Sequence, residues 1–272
     1  MSKKRGFGVD IGGSGIKGAP VDLKKGALRK PRHRIPTPKP ATPEAVVPVV
    51  ADVIGHFEPE PGTPVGVTFP GVVRQGVVLT AANVDDSWVG VDLQSLLREE
   101  TGYPVYVLND ADAAGYGEFM YGGAHGRDGV ILLATLGTGI GTALIVDGVI
   151  VPNTEFGHLQ IDGHDAEHYA AESARERHGL TDAEWIAHLQ RYFSEMENLL
   201  WPDLIIVGGG VSKDHETFLP HLRLRAPIIP AELFNEAGIV GAAAFAHRAA
   251  RAEAKAAQRA AEALADSADD ED

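Results

Sequence analysis

GFGVDIGGSGIKGAPVDL, residues 6–23, decides the fold class, because β-forming residues lie on both sides of a cluster of glycines. The pattern predicts a strand, a glycine turn and a second strand. Residues 129–151, GVILLATLGTGIGTALIVDGVIV, repeat the same arrangement in the second half of the chain. Helical and strand-like segments alternate around both units, so the sequence predicts an α/β protein built from two related lobes.

The remaining elements follow from hydrophobic spacing and from glycine and proline positions. We expect an exposed strand over 27–37, helices over 43–57, 91–101, 110–122, 167–177 and 181–200, and buried strands at 64–71, 104–110 and 204–208. An alanine-rich helix is predicted after residue 235. The predicted division is a smaller lobe, 1–109, a larger lobe, 110–243, a C-terminal helix at about 244–265 that packs back on the smaller lobe, and an acidic tail, 266–272.

Composition narrows the class of protein. The formal net charge is −14, there are no cysteines, and no apolar run approaches the length of a membrane span. A short basic lead enters the first strand directly, which leaves no room for a signal peptide. We therefore expect a cytoplasmic protein that binds neither nucleic acid nor membrane.

The positive charge is concentrated in one basic segment, Lys24–Lys39, which contains seven Lys and Arg residues and no acid. Such a segment could guide a polyanion through its local potential. It could equally be the solvated edge of a sheet, where lysine and arginine prevent aggregation.

The glycine turns predict phosphate-binding loops. Residues 13–18 match GxGxxG, but no helix follows and the region about 20 residues on is basic, so the dinucleotide-binding interpretation fails. Glycine turns bring backbone N–H groups close to an anion, although a plain hairpin would also use them. The candidate phosphate ligands are Asp10, Gly12, Gly13, Ser14, Gly15 and Lys17 in the first loop, Thr135, Gly137, Thr138 and Gly139 in the second, and Gly209 in a third. Asp10 is also a candidate Mg²⁺ ligand.

Two further segments carry candidate site residues. Asn109 and Asp110 end a predicted strand, where either can cap the next helix or face a ligand. Glu155 and His158 precede a histidine-rich stretch whose spacing fits no zinc pattern. A polar sugar pocket explains them better than a metal cluster, with a solvated loop as the alternative.

In their order along the chain, DIGGSGIKG, FPG, LNDADAAGYGE, LGTGIGTAL, EFGH and VGGG resemble the ROK sugar kinases of the hexokinase–actin superfamily. The resemblance implies two ribonuclease-H-like lobes around a central cleft, and a homodimer. It implies that Asp110 is the catalytic base, and that Mg²⁺ assists phosphoryl transfer. The implied sugar contacts are Gly71, Asn83, Asn109, Asp110, Glu155, His158 and Glu167.

The chain departs from this family after the EFGH motif. Typical members place a cysteine-rich zinc motif there, whereas this sequence reads IDGHDAEHYAAES, so no structural zinc is expected. This version, together with the basic segment, is similar to the family branch that phosphorylates glucose from inorganic polyphosphate. The alternatives are an ATP-dependent hexose kinase and a sugar-sensing repressor. Only five residues precede Gly6, which leaves no room for the repressors' DNA-binding module.

Overall fold

The computed structural model describes residues 5–269, with side chains described as far as residue 262. The strands are β1 Arg5–Gly12, β2 Gly15–Asp22, β3 Ala27–Leu28, β4 His33–Ile35, β5 Val65–Phe69, β6 Val73–Arg74, β7 Val77–Val78, β8 Val105–Asn109, β9 Val130–Leu136, β10 Ile140–Val146, β11 Val149–Val151, β12 Gln160–Ile161, β13 His164–Asp165, β14 Leu204–Gly208 and β15 Ile228–Pro230. The α-helices are α1 Pro43–Gly55, α2 Leu93–Thr101, α3 Asp110–Tyr121, α4 Glu167–Ala170, α5 Glu172–His178, α6 Asp182–Leu200 and α7 Ala237–Asp269.

Two mixed sheets share one topology. In the first sheet the strand order is β3-β2-β1-β5-β8, and β4 also pairs with β2. The β1–β2 hairpin is antiparallel, whereas β5 and β8 run parallel to β1. The second sheet has the order β11-β10-β9-β14-β15, again with one antiparallel hairpin and two added parallel strands. The predicted α/β fold with two related halves is therefore confirmed.

Helices cover both faces of each sheet. One core packs α1 and α2 on the first sheet, and another packs α6 on the second. Between the sheets, α7 lies on the first sheet and α3 on the second, and the two helices contact each other. This contact requires glycine: a Cβ at Gly241 of α7 would lie 1.7 Å from the carbonyl oxygen of Ala113 in α3.

The prediction of one helix over 167–177 is wrong. Ala171 has extended backbone angles and separates α4 from α5. The indole N–H of Trp185 donates to the carbonyls of Ala170 and Ala171, which satisfies acceptors that the break exposes. The break also turns Ser173, at the start of α5, towards the second glycine loop.

Other boundaries differ less. The predicted strand over 27–37 consists of two short strands, β3 and β4, with Pro31 between them. Helix α7 begins at Ala237, in agreement with the alanine-rich helix predicted after residue 235, and its buried residues end at Ala246. The acidic tail, 266–272, lies outside the described residues except for helical backbone up to Asp269. Across the described chain, no helix has both the length and the apolar character to cross a membrane.

Candidate active site

The first glycine loop joins β1 to β2 and places a carboxylate opposite an ammonium group. Asp10 and Lys17 are partners in the antiparallel register, and their Oδ2 and Nζ atoms are 2.9 Å apart. The other oxygen of Asp10 accepts a hydrogen bond of 2.8 Å from Thr68 Oγ1 on β5. Asp10 is therefore fixed from two strands, and its carboxylate points to the end of the sheet where ligands bind in this class of fold.

The basic segment also contacts this loop. Arg34 on β4 donates from Nη2 to the carbonyl of Ser14 at 2.7 Å. A Cβ at Gly15 would lie 2.4 Å from Arg34 Nε, so the guanidinium group occupies the space beside the glycine. Thr37 donates to the carbonyl of Gly12 at 2.5 Å. Strand β4 and the residue Thr37 after it thus hold the loop in place, and Arg34 adds one cation to it.

Three sequence-predicted residues surround this loop and the adjacent turn. Asn83 has a positive φ of 61° and lies against Gly13, whose Cβ would be 3.0 Å from that of Asn83. The turn at Gly71 lies close to Thr80: a Cβ added to Gly71 would be 2.2 Å from the Thr80 carbonyl oxygen, so glycine is needed there. The side chain of Asn109 donates to the Gly71 carbonyl at 3.1 Å and caps α3 through the N–H of Asp112 at 3.0 Å. Asn109 therefore has a structural role whether or not it also contacts a sugar.

Asp110 is the first residue of α3, directly after the buried strand β8. Burial raises the pKa of its carboxyl group to about 7, and the nearby negative charges of Asp10 and, less strongly, Glu155 act in the same direction. The two charges that act on Asp110 come from different halves of the chain: Asp10 is on the first sheet, and Glu155 follows the second hairpin. Asp110 is close enough to both carboxylates for their charges to raise its pKa, and the residue is partly exposed to solvent.

The second glycine loop joins β9 to β10. The N–H of Gly137 donates to the Gly139 carbonyl at 3.0 Å, and Thr135 Oγ1 donates to the Gly141 carbonyl at 3.3 Å. Ser173 fastens the loop from α5: its N–H donates to the carbonyl of Gly137 at 3.1 Å and its Oγ to that of Thr138 at 2.7 Å.

The third glycine turn packs directly on the second loop. Gly209 has a φ of 86°, and a Cβ there would lie 2.2 Å from the carbonyl oxygen of Leu136. Only glycine allows both this conformation and this approach. Gly209 therefore lies against the second loop at Leu136, and its phosphate-binding role stays a prediction.

The EFGH segment, residues 155–158, follows β11, and its charged side chains interact with each other and with Asp165. His158 Nδ1 is 3.0 Å from Asp165 Oδ2, and Nε2 is 3.8 Å from Glu155 Oε2. The hydrogen bond with Asp165 raises the pKa of His158, and partial burial raises the pKa of Glu155. In the described residues, no three histidine and carboxylate side chains are arranged to hold a metal ion.

Glu167 lies against both the second glycine loop and the EFGH segment, where a Cβ at Gly157 would lie 3.2 Å from its Oε2. Its Oε2 accepts a hydrogen bond of 2.9 Å from the N–H of Ile140, at the end of the second glycine loop. A Cβ at Gly139 would lie 2.5 Å from the same oxygen, so the loop and this carboxylate are closely packed. In the structure Glu167 supports the second loop, and its sugar-binding role stays a prediction.

Sequence reasoning missed the residues that hold the site together. Thr68, Arg34 and Ser173 contact the two loops, but each lies far from its partner in the sequence, and no local pattern marks it. Trp88, five residues after Asn83, is fully buried and donates from its indole N–H to the Ala41 carbonyl at 2.7 Å, so it belongs to the core.

Comparison with known proteins defines the class. Residues 6–178 match the ROK family. The chain is 48% identical over 243 residues to a polyphosphate glucokinase of Mycobacterium tuberculosis. The aligned residues make up 89% of this chain and 91% of the relative. A glucokinase of Streptomyces coelicolor is 30% identical over 88% of this chain and 96% of its own length. The chain belongs to the ROK family.

Solved structures agree with this assignment. The crystal structure of an inorganic polyphosphate/ATP-glucomannokinase from Arthrobacter sp. strain KM matches with a TM-score of 0.84 and 57% identity, over 88% of this chain and 96% of that one. A ROK family glucokinase from Streptomyces griseus, solved with glucose and AMPPNP, matches with a TM-score of 0.75 and 25% identity, over 90% of this chain and 99% of that one. The two-sheet architecture is thus that of ROK kinases.

Proposed function

We propose that this chain transfers the terminal phosphoryl group of inorganic polyphosphate to the 6-hydroxyl of glucose. The observation that carries the proposal is the position of Asp110, flanked by Asp10 from the first sheet and Glu155 from the second half, with a pKa of about 7. The names of the Mycobacterium and Arthrobacter relatives support polyphosphate as donor and glucose as acceptor.

The proposed reaction is a single displacement. The Asp110 carboxylate accepts the proton of the glucose 6-hydroxyl as that oxygen forms a bond to the terminal phosphorus. The bond from phosphorus to the bridging oxygen breaks, and polyphosphate shorter by one unit leaves with glucose 6-phosphate as the second product. A base with a pKa near 7 is well matched to this step at neutral pH, because about half of it is unprotonated and the unprotonated form is still basic.

The two glycine loops have a defined place in this proposal. Their backbone N–H groups, Lys17 and Arg34 would stabilise charge on the phosphoryl oxygens. Asn83, Gly71, Asn109, Glu155 and His158 would surround the sugar. Glu167 would support the second loop through Ile140 and, next to Gly157, contribute to the sugar pocket.

Magnesium fits the residues at the first loop. Carboxylate oxygens are the protein ligands that Mg²⁺ prefers, and the charge of Asp10 reaches Asp110 strongly enough to raise its pKa. Asp10 would hold the ion, directly or through water, with the remaining ligands from water and phosphate. Bound there, the ion would neutralise phosphate charge during transfer.

An ATP-dependent glucokinase is the second candidate, favoured by the identity with the Streptomyces coelicolor glucokinase and by the dual donor in the Arthrobacter enzyme's name. Initial rates of glucose 6-phosphate formation with long-chain polyphosphate and with ATP, each at saturating glucose and Mg²⁺, separate the two. We expect a higher kcat/KM with polyphosphate. If glucose 6-phosphate forms with ATP but not with polyphosphate, polyphosphate is rejected as the donor.

The proposal also includes a cytoplasmic homodimer, as the family resemblance implies. Light scattering of the purified chain tests the dimer, and a mass equal to the 28.8 kDa of one chain would reject it.

A further inference from the structure

The basic segment follows one edge of the first sheet from end to end. Starting at the turn after β2, it pairs with β2 through Asp22 and Ala27, and later through Lys17 and Arg34. It therefore runs back along β2 from the far end of that strand to the first glycine loop. An eight-residue strand spans about 26 Å, so the segment is long enough to contact many units of an extended chain.

The cations of this edge are exposed, and the carboxylate of Asp22 interacts electrostatically with two of them, Lys25 and Arg29. Lys24, Lys25, Arg29, Arg32 and Arg34 all face solvent. Within the described residues none of them forms an ion pair with a carboxylate: Arg32 and Arg34 donate to the backbone carbonyls of Asn235 and Ser14 instead. In a chain with a formal net charge of −14, such a row of exposed cations produces a strong local positive potential.

A second row of cations faces the far end of this edge. Arg248, Arg251 and Lys255 lie at helical spacing on one side of α7 and line a groove of about 440 Å³ together with Leu23, the residue before Lys24. Tyr121 closes the groove floor: its hydroxyl donates to the Leu23 carbonyl at 3.0 Å, and its ring packs on Gly26. Leu23, directly before the turn that carries Lys24 and Lys25, thus lines the same groove as the cations of α7.

We infer that these two rows form a docking track for the part of a linear polyphosphate that lies beyond the reacting end. The track starts at Arg34 of β4, which contacts the first glycine loop, follows the edge formed by residues 24–34, and ends at the groove beside α7. Its ligand is a long flexible polyanion, because a nucleoside triphosphate or a tripolyphosphate ends near the loop. This inference rests on the proposed function.

Two double variants test the track. Lys25→Gln/Arg29→Gln removes two charges from the edge, Arg248→Gln/Arg251→Gln removes two from α7, and Arg127→Gln/Arg223→Gln removes two exposed charges from the second half as a control. We measure kcat and KM with long-chain polyphosphate and with tripolyphosphate at low and high salt. Each track variant should raise KM for the long chain about tenfold at low salt, and by less when salt screens the charges. KM for tripolyphosphate should change less than about twofold, as should both values in the control.

The outcomes separate the two hypotheses. If the wild type forms glucose 6-phosphate from polyphosphate but the edge variant behaves like the control, the track is rejected and the proposed function stands. If Lys25→Gln/Arg29→Gln raises KM for the long chain but Arg248→Gln/Arg251→Gln does not, the groove end of the track is rejected. Equal KM increases for both donors would reject a track for long chains. If the wild type uses no polyphosphate at all, the donor and the track both fail.

Discussion

At the scale of single residues, Asp110 carries the account. From the sequence alone it is as well explained as a helix cap, but in the structure Asn109 performs that role through the N–H of Asp112. Asp110 is left as the first helical residue, beside two other carboxylates that raise its pKa. A carboxyl group placed where its ionised form is disfavoured costs stability, and proteins accept that cost chiefly at functional sites.

The pH dependence of turnover follows from this pKa. A base acts only when it is unprotonated, so kcat/KM for glucose at saturating donor should fall about tenfold for each pH unit below about 7. Glu155→Gln removes a charge that raises the pKa of Asp110, so its profile should bend at a lower pH than that of the wild type. A wild-type profile that is flat between pH 5 and 8 (a range of about three units around the pKa) would contradict the assignment.

At the scale of elements, the glycine loops were predictable and their supports were not. Strand–glycine–strand patterns are local, so the sequence predicts both hairpins, and the order of six motifs identifies the family. The break at Ala171 is not local: it depends on Trp185 and on the second loop, both outside the segment. Likewise, Thr68 and Arg34 reach the first loop through strand pairing, which a single sequence does not reveal.

The end of α3 offers a stability test at this scale. Glu118 is fully buried, and its carboxylate accepts hydrogen bonds from the N–H groups of Gly123, Glu232 and Leu233. Glu118→Ala leaves these donors unpaired and should lower the free energy of unfolding by about 3 kcal/mol. Glu176→Ala, on an exposed part of α5, is the control and should change it by less than about 0.5 kcal/mol. Equal denaturation midpoints for the two variants would show that Glu118 is not a structural anchor.

At the scale of the whole molecule, α3 and α7 connect the two halves. Each helix lies on one sheet, and they meet through glycines, so any change in their separation moves one half relative to the other. Asp110 begins α3, and Gly238 of α7 lies near Asp10, at 3.8 Å from an added Cβ to the carboxyl carbon. The contact between the helices therefore links the sheet that carries the first glycine loop to the sheet that carries the second.

Gly241→Ala tests this arrangement. The added methyl group would lie 1.7 Å from the Ala113 carbonyl, so the helices must separate, and unfolding free energy should fall by about 2 kcal/mol or more. Because Asp110 is on the displaced helix, kcat should fall as well. Gly55→Ala at the end of α1 has no atom within 4 Å of the new Cβ and serves as the control. Unchanged stability and kcat in Gly241→Ala would refute the close contact.

The most direct test of the central claim is the turnover of Asp110→Asn. The substitution keeps the size of the side chain and removes its ability to accept a proton. We predict that glucose still binds, as measured by calorimetry, with a dissociation constant within about threefold of the wild type, while kcat falls by about 10³-fold, within the range that general base catalysis contributes. Near-normal kcat with either polyphosphate or ATP would show that Asp110 is not the base.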